Sequence, residues 1–200
     1  MDDLFENNTL AAQRQAARRA LRREKLAARE ALDPARHRAL SDQVAAQLFR
    51  ALPLPPGLCL GFCWPIRNEP DLRPALLAWA ERGGQLALPM VIAPDAPLEF
   101  HRWQPGDALQ PDRYGIPTPV SGQRVRPEVL LLPLNAFDAA GYRLGYGGGY
   151  FDRSLARYQP RPLAVGIGFE LGRVDSILPE PHDQPLDWIV SEAGAWAVRP

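Results

Sequence analysis

Apolar residues recur at helical spacing in the first quarter of the chain. Beyond Gly57 they gather into short unbroken runs with helical segments between them. From about Leu10 to Leu32 nearly every residue is a strong helix former, and Ala17, Ala20, Leu21, Ala27, Ala28 and Ala31 form a thin apolar stripe. The residues before this stretch, 1–9, are expected to fray. Asp33-Pro34 ends the first helix and opens a second, with Asp as N-cap and Pro at the first helical position. Leu40, Val44 and Leu48 share one face of that second helix. Pro53 to Gly57 reads as a linker. The elements expected next are a strand at Leu58–Trp64, a helix at Leu72–Arg82 and a strand at Gln85–Met90, then another strand at Leu98–Trp103. Tyr114–Pro119 reads as an extended loop. The apolar run Glu128-Val-Leu-Leu-Leu-Pro133 has the character of a strand covered on both faces. A glycine loop and a helix from Asp152 follow, then strands at Leu163–Phe169 and Trp188–Val190. Strand alternating with helix predicts an α/β layered sandwich with a mainly parallel sheet, built as a single domain over 1–200.

Composition adds bounds. The 46% hydrophobic and 23% charged content suits a soluble globular domain, and the net charge of +0 argues against a general nucleic-acid coat. The acidic start Met-Asp-Asp-Leu-Phe-Glu lacks the features of a signal peptide, and no apolar run approaches the ~20 residues that span a bilayer. Cys59 and Cys63 lie in a segment read as strand, which would hold their Cα atoms about 13 Å apart, too far for a disulfide. Reduced thiols in a cytoplasmic protein are the expectation.

The candidate chemistry centres on Gly141-Tyr-Arg-Leu-Gly-Tyr-Gly-Gly-Gly-Tyr-Phe-Asp-Arg153. A glycine loop feeding a helix offers backbone N–H groups and a positive dipole end to phosphate, Arg143 adds charge, and Asp152 could hold a cation. A tight turn needing glycine only for its backbone freedom is the alternative. Neither the G-x-x-x-x-G-K-[ST] nor the G-x-G-x-x-G pattern is met, since no lysine follows the glycines and Tyr150 stands at the third glycine position. Lys25 is the sole lysine, which leaves phosphate binding to arginine. Arg14, Arg18 and Arg22 share a face of the first helix, with Arg19 and Arg23 beside it. Three readings of that face are a solvated surface, a nucleic-acid patch without stacking aromatics, and a set of ligands for a triphosphate at the glycine loop. Trp64 and Glu69 follow the first strand, at the end of the sheet where ligands bind in open α/β folds. Asp183, beside His182, is a further metal candidate; His37 and His101 read as structural.

These segments together resemble the 5-formyltetrahydrofolate cyclo-ligases, also called 5,10-methenyltetrahydrofolate synthetases, from about Arg14 to Val190. Arg143-Leu-Gly-Tyr-Gly-Gly-Gly-Tyr-Phe-Asp152 looks like the family's R-L-G-x-G-x-G-Y-Y-D. Arg18-Arg-Ala-Leu-Arg22, Asn68-Glu-Pro-Asp71, Leu88-Pro89, Tyr114-Gly-Ile-Pro117 and His182-Asp183 follow the family's order. The resemblance implies a three-layer α/β sandwich similar to ribose-phosphate isomerases and CoA transferases. It implies ATP- and Mg²⁺-dependent closure of 5-formyltetrahydrofolate to 5,10-methenyltetrahydrofolate; a cytoplasmic monomer with small-molecule partners, and neither nucleic acid nor membrane, is expected alongside. Carried over residue by residue, it assigns ATP contacts to Arg18, Arg19, Ala20, Leu21 and Arg22. The same assignment covers Arg143, Leu144, Gly145, Tyr146, Gly147, Gly148, Gly149, Tyr150 and Phe151. It assigns substrate contacts to Trp64, Glu69 and Tyr146–Tyr150, catalytic roles to Arg143 and Tyr150, and magnesium to Asp152 and Asp183. Phe151 replaces the family's usual second tyrosine, and Gly148 stands where some members carry lysine. A paralogue acting on another metabolite and a nucleic-acid-binding module using the basic first helix are the alternatives.

Overall fold

The computed structural model describes residues 2–198, and for residues 2–8 the backbone course alone. Helix α1 spans Asp2–Glu30, so its backbone begins well before Leu10. Helix α2 (Pro34–Ala51) starts as expected, with Asp33 in extended backbone and its Oδ1 accepting from the Arg36 N–H at 2.9 Å. The chain then alternates through β1 (Cys59–Gly61), α3 (Arg73–Ala80), β2 (Gln85–Met90) and β3 (Glu99–Trp103). Three short strands follow, β4 (Leu109–Pro111), β5 (Pro117–Pro119) and β6 (Arg124–Val125), and then the longer β7 (Val129–Pro133). The hairpin strands β8 (Ala136–Phe137) and β9 (Arg143–Leu144) lead through the glycine loop to α4 (Tyr150–Arg157). The chain closes with β10 (Leu163–Ile167), β11 (Trp188–Ser191) and β12 (Gly194–Ala197).

Eight strands make the main sheet, in the order β12-β11-β10-β7-β1-β2-β3-β6. The pairings from β11 through β2 are parallel, and the antiparallel pairings lie at the two edges. The sheet is therefore mainly parallel, and the fold is the α/β sandwich the alternation predicts. Period-two alternation in β7 builds both cores: Val129 and Leu131 face α2 and α3, while Leu130 and Leu132 face α4. On the first side Val44, Leu48, Leu76 and Trp79 are buried; on the second, Leu155. β1 is shorter than the apolar run around it, ending at Gly61, with one further bond from the Phe62 N–H to the Ala87 carbonyl at 3.0 Å. A Cβ on Gly61 would lie 2.6 Å from Leu130 Cδ2. Cys63 is therefore outside the strand, and both cysteines are free thiols. Tyr114–Pro119 contains half of a small hairpin, β5 pairing with β4, where the sequence suggests only a loop.

The orientation of α1 overturns its expected apolar stripe. Ala17, Ala20, Ala27, Ala28 and Ala31 are exposed and Leu21 is half-buried. The inward positions are Arg18, Leu26 and Arg29, with Arg22 and Lys25 half-buried. That set keeps helical spacing, but most of its members are cationic. The reason lies in what the helix covers. Around it are carbonyls and carboxylates of the loops after β1, β7, β9 and β10, and guanidinium groups satisfy these where methyl groups would not.

Candidate active site

Each inward arginine of α1 reaches a different piece of the sheet's carboxyl end. Arg18 forms a fork on Asp183, with Nη1 at 2.7 Å from Oδ2 and Nη2 at 3.2 Å from Oδ1, and Nη1 also donates to the Leu178 carbonyl at 2.9 Å. Arg22 donates from Nε to the Gly145 carbonyl at 2.7 Å, which lays α1 over the glycine loop. Arg29, 2% exposed, donates to the carbonyls of Arg67 and Leu134 and from Nη2 to the Tyr146 hydroxyl at 2.7 Å. Arg29 was not among the residues singled out from sequence. Its partners lie far away along the chain, so no local pattern marks it.

Glu69 is 4% exposed. The Ile66 N–H donates to its Oε2 at 3.1 Å, the Tyr146 hydroxyl donates to Oε1 at 2.8 Å, and Arg29 Nη2 stands 3.8 Å from Oε1. Burial raises its pKa despite the opposing Arg29 charge and these two hydrogen bonds. The same burial, with the Glu69 charge behind it, raises the Tyr146 phenol. The loop bearing Glu69 is tied to the end of α1. Asn68, at φ +56°, donates to the carbonyls of Glu30 and Leu32, and Arg67, at φ +49°, forks onto Glu30. His37 touches the Glu69 carbonyl through Nε2 at 2.8 Å, the structural role expected of it.

The glycine loop joins β9 to α4. Gly147 (φ +96°) and Gly149 (φ +64°) need glycine for their backbone, and a Cβ on Gly148 would meet the Tyr150 ring at 2.9 Å. At Gly145 a Cβ would meet nothing within 4 Å. The tight-turn explanation therefore covers Gly147, Gly148 and Gly149 and leaves Gly145 without a reason internal to the protein. Tyr150 opens α4, its hydroxyl 2.9 Å from that of Tyr114 and its ring under the Arg153 guanidinium. Leu144 and Phe151 point into apolar clusters, so their side chains serve packing.

The structure brings Arg22, Tyr146 and Glu69 together but redirects several other candidates. Arg143 is buried; it donates to the Gln184 carbonyl at 2.8 Å and to Asp152 Oδ1 at 3.1 Å. Burial lowers its pKa, outweighing the Asp152 charge. Arg143 thus holds the base of the loop in place. Trp64 packs edge-on against Trp103 at 5.7 Å, with Arg73 over its ring at 4.6 Å. Asp183 has both oxygens on Arg18, and Oδ2 also accepts from the Glu180 N–H at 2.7 Å. It is an ion-pair partner in this arrangement, without a free oxygen for a cation. Asp152 uses Oδ1 alone among the described residues, accepting from Arg143 and the Gln184 N–H. No three His, Cys, Asp or Glu side chains converge as a metal site among the described residues. One free carboxylate oxygen fits Mg²⁺ only as it commonly binds beside phosphates, with the ligand supplying most of the coordination.

Between α1 and the loops is a cavity of about 410 Å³, lined by Arg19, Arg22, Arg23, Glu30, Arg67 and Tyr146. Four arginines against one glutamate make it strongly cationic. A second, smaller space of about 30 Å³ borders Glu69, against Cys63, Pro133 and Ile167.

Known proteins give this arrangement a context. An NMR structure of a 5,10-methenyltetrahydrofolate synthetase from Aquifex aeolicus superposes with a TM-score of 0.78 at 31% identity, covering 92% of this chain and 93% of that one. A curated Escherichia coli K12 protein named 5-formyltetrahydrofolate cyclo-ligase is 29% identical over 175 residues, 84% of this chain and 96% of its own. The Haemophilus influenzae protein of the same name is 36% identical over 95 residues, and that match spans about half (51%) of its length. No described helix is long and apolar enough to cross a membrane. The model of the 5-formyltetrahydrofolate cyclo-ligase family matches residues 14–192, and the chain, an enzyme by that membership, belongs to this family.

Proposed function

We propose that the protein closes 5-formyltetrahydrofolate to 5,10-methenyltetrahydrofolate, using ATP with Mg²⁺ and releasing ADP and phosphate. The observation that carries this reading is the contact of Tyr146, in the glycine loop, with Glu69, in the loop after β1, at the edge of a cationic cavity. A nucleotide loop and a buried carboxylate suited to a polar heterocycle thus share one crevice.

The chemistry asks for positioning and charge neutralisation more than for a protein nucleophile. The formyl oxygen attacks the γ-phosphorus and ADP leaves. N10 then closes on the activated formyl carbon, its proton is lost and phosphate departs. Backbone N–H groups of the glycine loop and the Arg19 and Arg22 guanidiniums face the phosphate charge, and Glu69 orients the pterin or the formyl group. Mg²⁺, when bound beside the phosphates, would neutralise charge on them, and Asp152 Oδ2 is the oxygen that would hold it. The nucleic-acid alternative is weakened, because Arg18 and Arg29 of the basic helix are buried in internal contacts, while Arg14, Arg19 and Arg23 stay exposed. The test is the absorbance of the methenyl product on mixing protein, Mg-ATP and 5-formyltetrahydrofolate. Product formation dependent on ATP supports the reading, and its absence with folded protein overturns it.

A further inference from the structure

The Tyr146 hydroxyl sits where three chain segments meet. It donates to Glu69 Oε1 and accepts from Arg29 Nη2. The other polar groups of Glu69 are held nearby: Oε2 by the Ile66 N–H, the backbone N–H by the Ile66 carbonyl, the carbonyl by His37. Oε1 is therefore the oxygen a substrate can claim, and it must claim it from Tyr146. The Tyr146 ring is 42% exposed and walls the cationic cavity, while Glu69 borders the smaller space. The phenol that lines one space thus bonds the carboxylate that lines the other.

The residues on either side of Tyr146 are glycines that carry no side chain to anchor the backbone: a Cβ on Gly145 would meet nothing within 4 Å, and Gly147 lies at φ +96°. One bond holds the near side, Arg22 Nε on the Gly145 carbonyl. Arg22 also lines the cationic cavity. A phosphate entering the cavity competes for that guanidinium, and a charge-assisted bond to phosphate outweighs one to a neutral carbonyl. Drawing Arg22 off Gly145 removes the tie on the near side of Tyr146 and leaves the far side held by Arg153 Nη2 on the Gly148 carbonyl at 2.6 Å.

We infer that Tyr146 couples the nucleotide half of the site to the substrate half: its hydroxyl closes Glu69 Oε1, and nucleotide opens it by taking Arg22 from Gly145. The inference rests on the proposed cyclo-ligase reading and adds to it a thermodynamic linkage. Nucleotide has a differential affinity for the open arrangement, so it shifts the balance, and by reciprocity the folate strengthens nucleotide binding by the same factor.

Tyr146→Phe in the full chain tests this, because it keeps the ring and deletes the hydroxyl. Titration calorimetry would give the dissociation constant of 5-formyltetrahydrofolate with and without a non-hydrolysable ATP analogue and Mg²⁺. In the unmodified protein the analogue should tighten folate binding by about fivefold or more. Without nucleotide, the variant should bind folate about tenfold more tightly than the unmodified protein, and the analogue's effect should shrink to about twofold or less. Equal affinities without nucleotide, or an undiminished analogue effect in the variant, would overturn the inference. Amide hydrogen exchange at residues 145–149 supplies a readout that needs no ligand. It should be faster in the variant, and identical exchange also overturns the inference. If exchange differs but the unmodified protein neither binds nor converts 5-formyltetrahydrofolate, the cyclo-ligase reading has failed and the coupling falls with it.

Discussion

The two buried carboxylates near the glycine loop are compensated differently, and their titrations should differ in sign. Burial pushes against ionisation of Asp183, but the Arg18 fork and the Glu180 N–H outweigh it and hold its pKa below the usual aspartate value. Its stabilising share is present above the unfolded value and is lost as pH falls through the lower folded one. Asp183→Asn removes the closest charge partner of the buried Arg18, leaving Glu180 at 3.9 Å and the Leu178 carbonyl, and should cost about 3 kcal/mol in chemical denaturation. A residue acting chiefly as a metal ligand would instead change the Mg²⁺ dependence and leave apo-protein stability nearly intact. Glu69 goes the other way. Its folded pKa is raised, so its share of stability is fully present below the unfolded value, near 4.5, and declines as pH climbs above it. Thermal melts of the unmodified protein relative to Glu69→Gln should show that decline between about pH 4.5 and the raised value. An opposite slope would mean that the Arg29 charge dominates over burial. Turnover of 5-formyltetrahydrofolate by Glu69→Gln should fall by about tenfold or more, because a site built around a hydrogen bond discriminates strongly against its loss.

Among the elements, the glycine loop separates residues the fold requires from one it does not. Gly149→Ala places a Cβ at φ +64° and should cost about 1 kcal/mol, whether or not a ligand is present. Gly145→Ala meets no atom within 4 Å, so its melting curve should match that of the unmodified protein. If the loop backbone approaches phosphate closely, nucleotide binding by Gly145→Ala should weaken by about tenfold, measured by calorimetry. Unchanged affinity would place the phosphates elsewhere in the crevice. The helices and long strands were legible because their signals are local: Asp33 caps α2, and the β7 run alternates between two cores. The β8–β9 hairpin was not legible. Two-residue strands pair through contacts such as Ala136 with Leu144, which leave no periodicity to read.

At the scale of the molecule, α1 is the element that assembles the site from pieces more than a hundred residues apart. A chain lacking residues 1–30 would take the paired arginines from Asp183 and Glu69 and uncover the loops on which α1 packs. It should melt far below the full chain or fail to fold, as judged by circular dichroism. A stable truncated core with native secondary structure would show that α1 is merely docked. The amino-acid sequence by itself determined the sandwich, the order of its main elements and the glycine loop as a candidate phosphate site, because these follow from spacing within a few residues. It also carried the family resemblance. Only the tertiary structure decided which face of α1 turns inward. Hydropathy favours the alanines, but the inward face is set by carbonyls and carboxylates that distant loops present to it. Those partners turn Arg18 and Arg29 from surface charges into buried anchors, and they bring Tyr146 onto Glu69 across 77 positions of sequence.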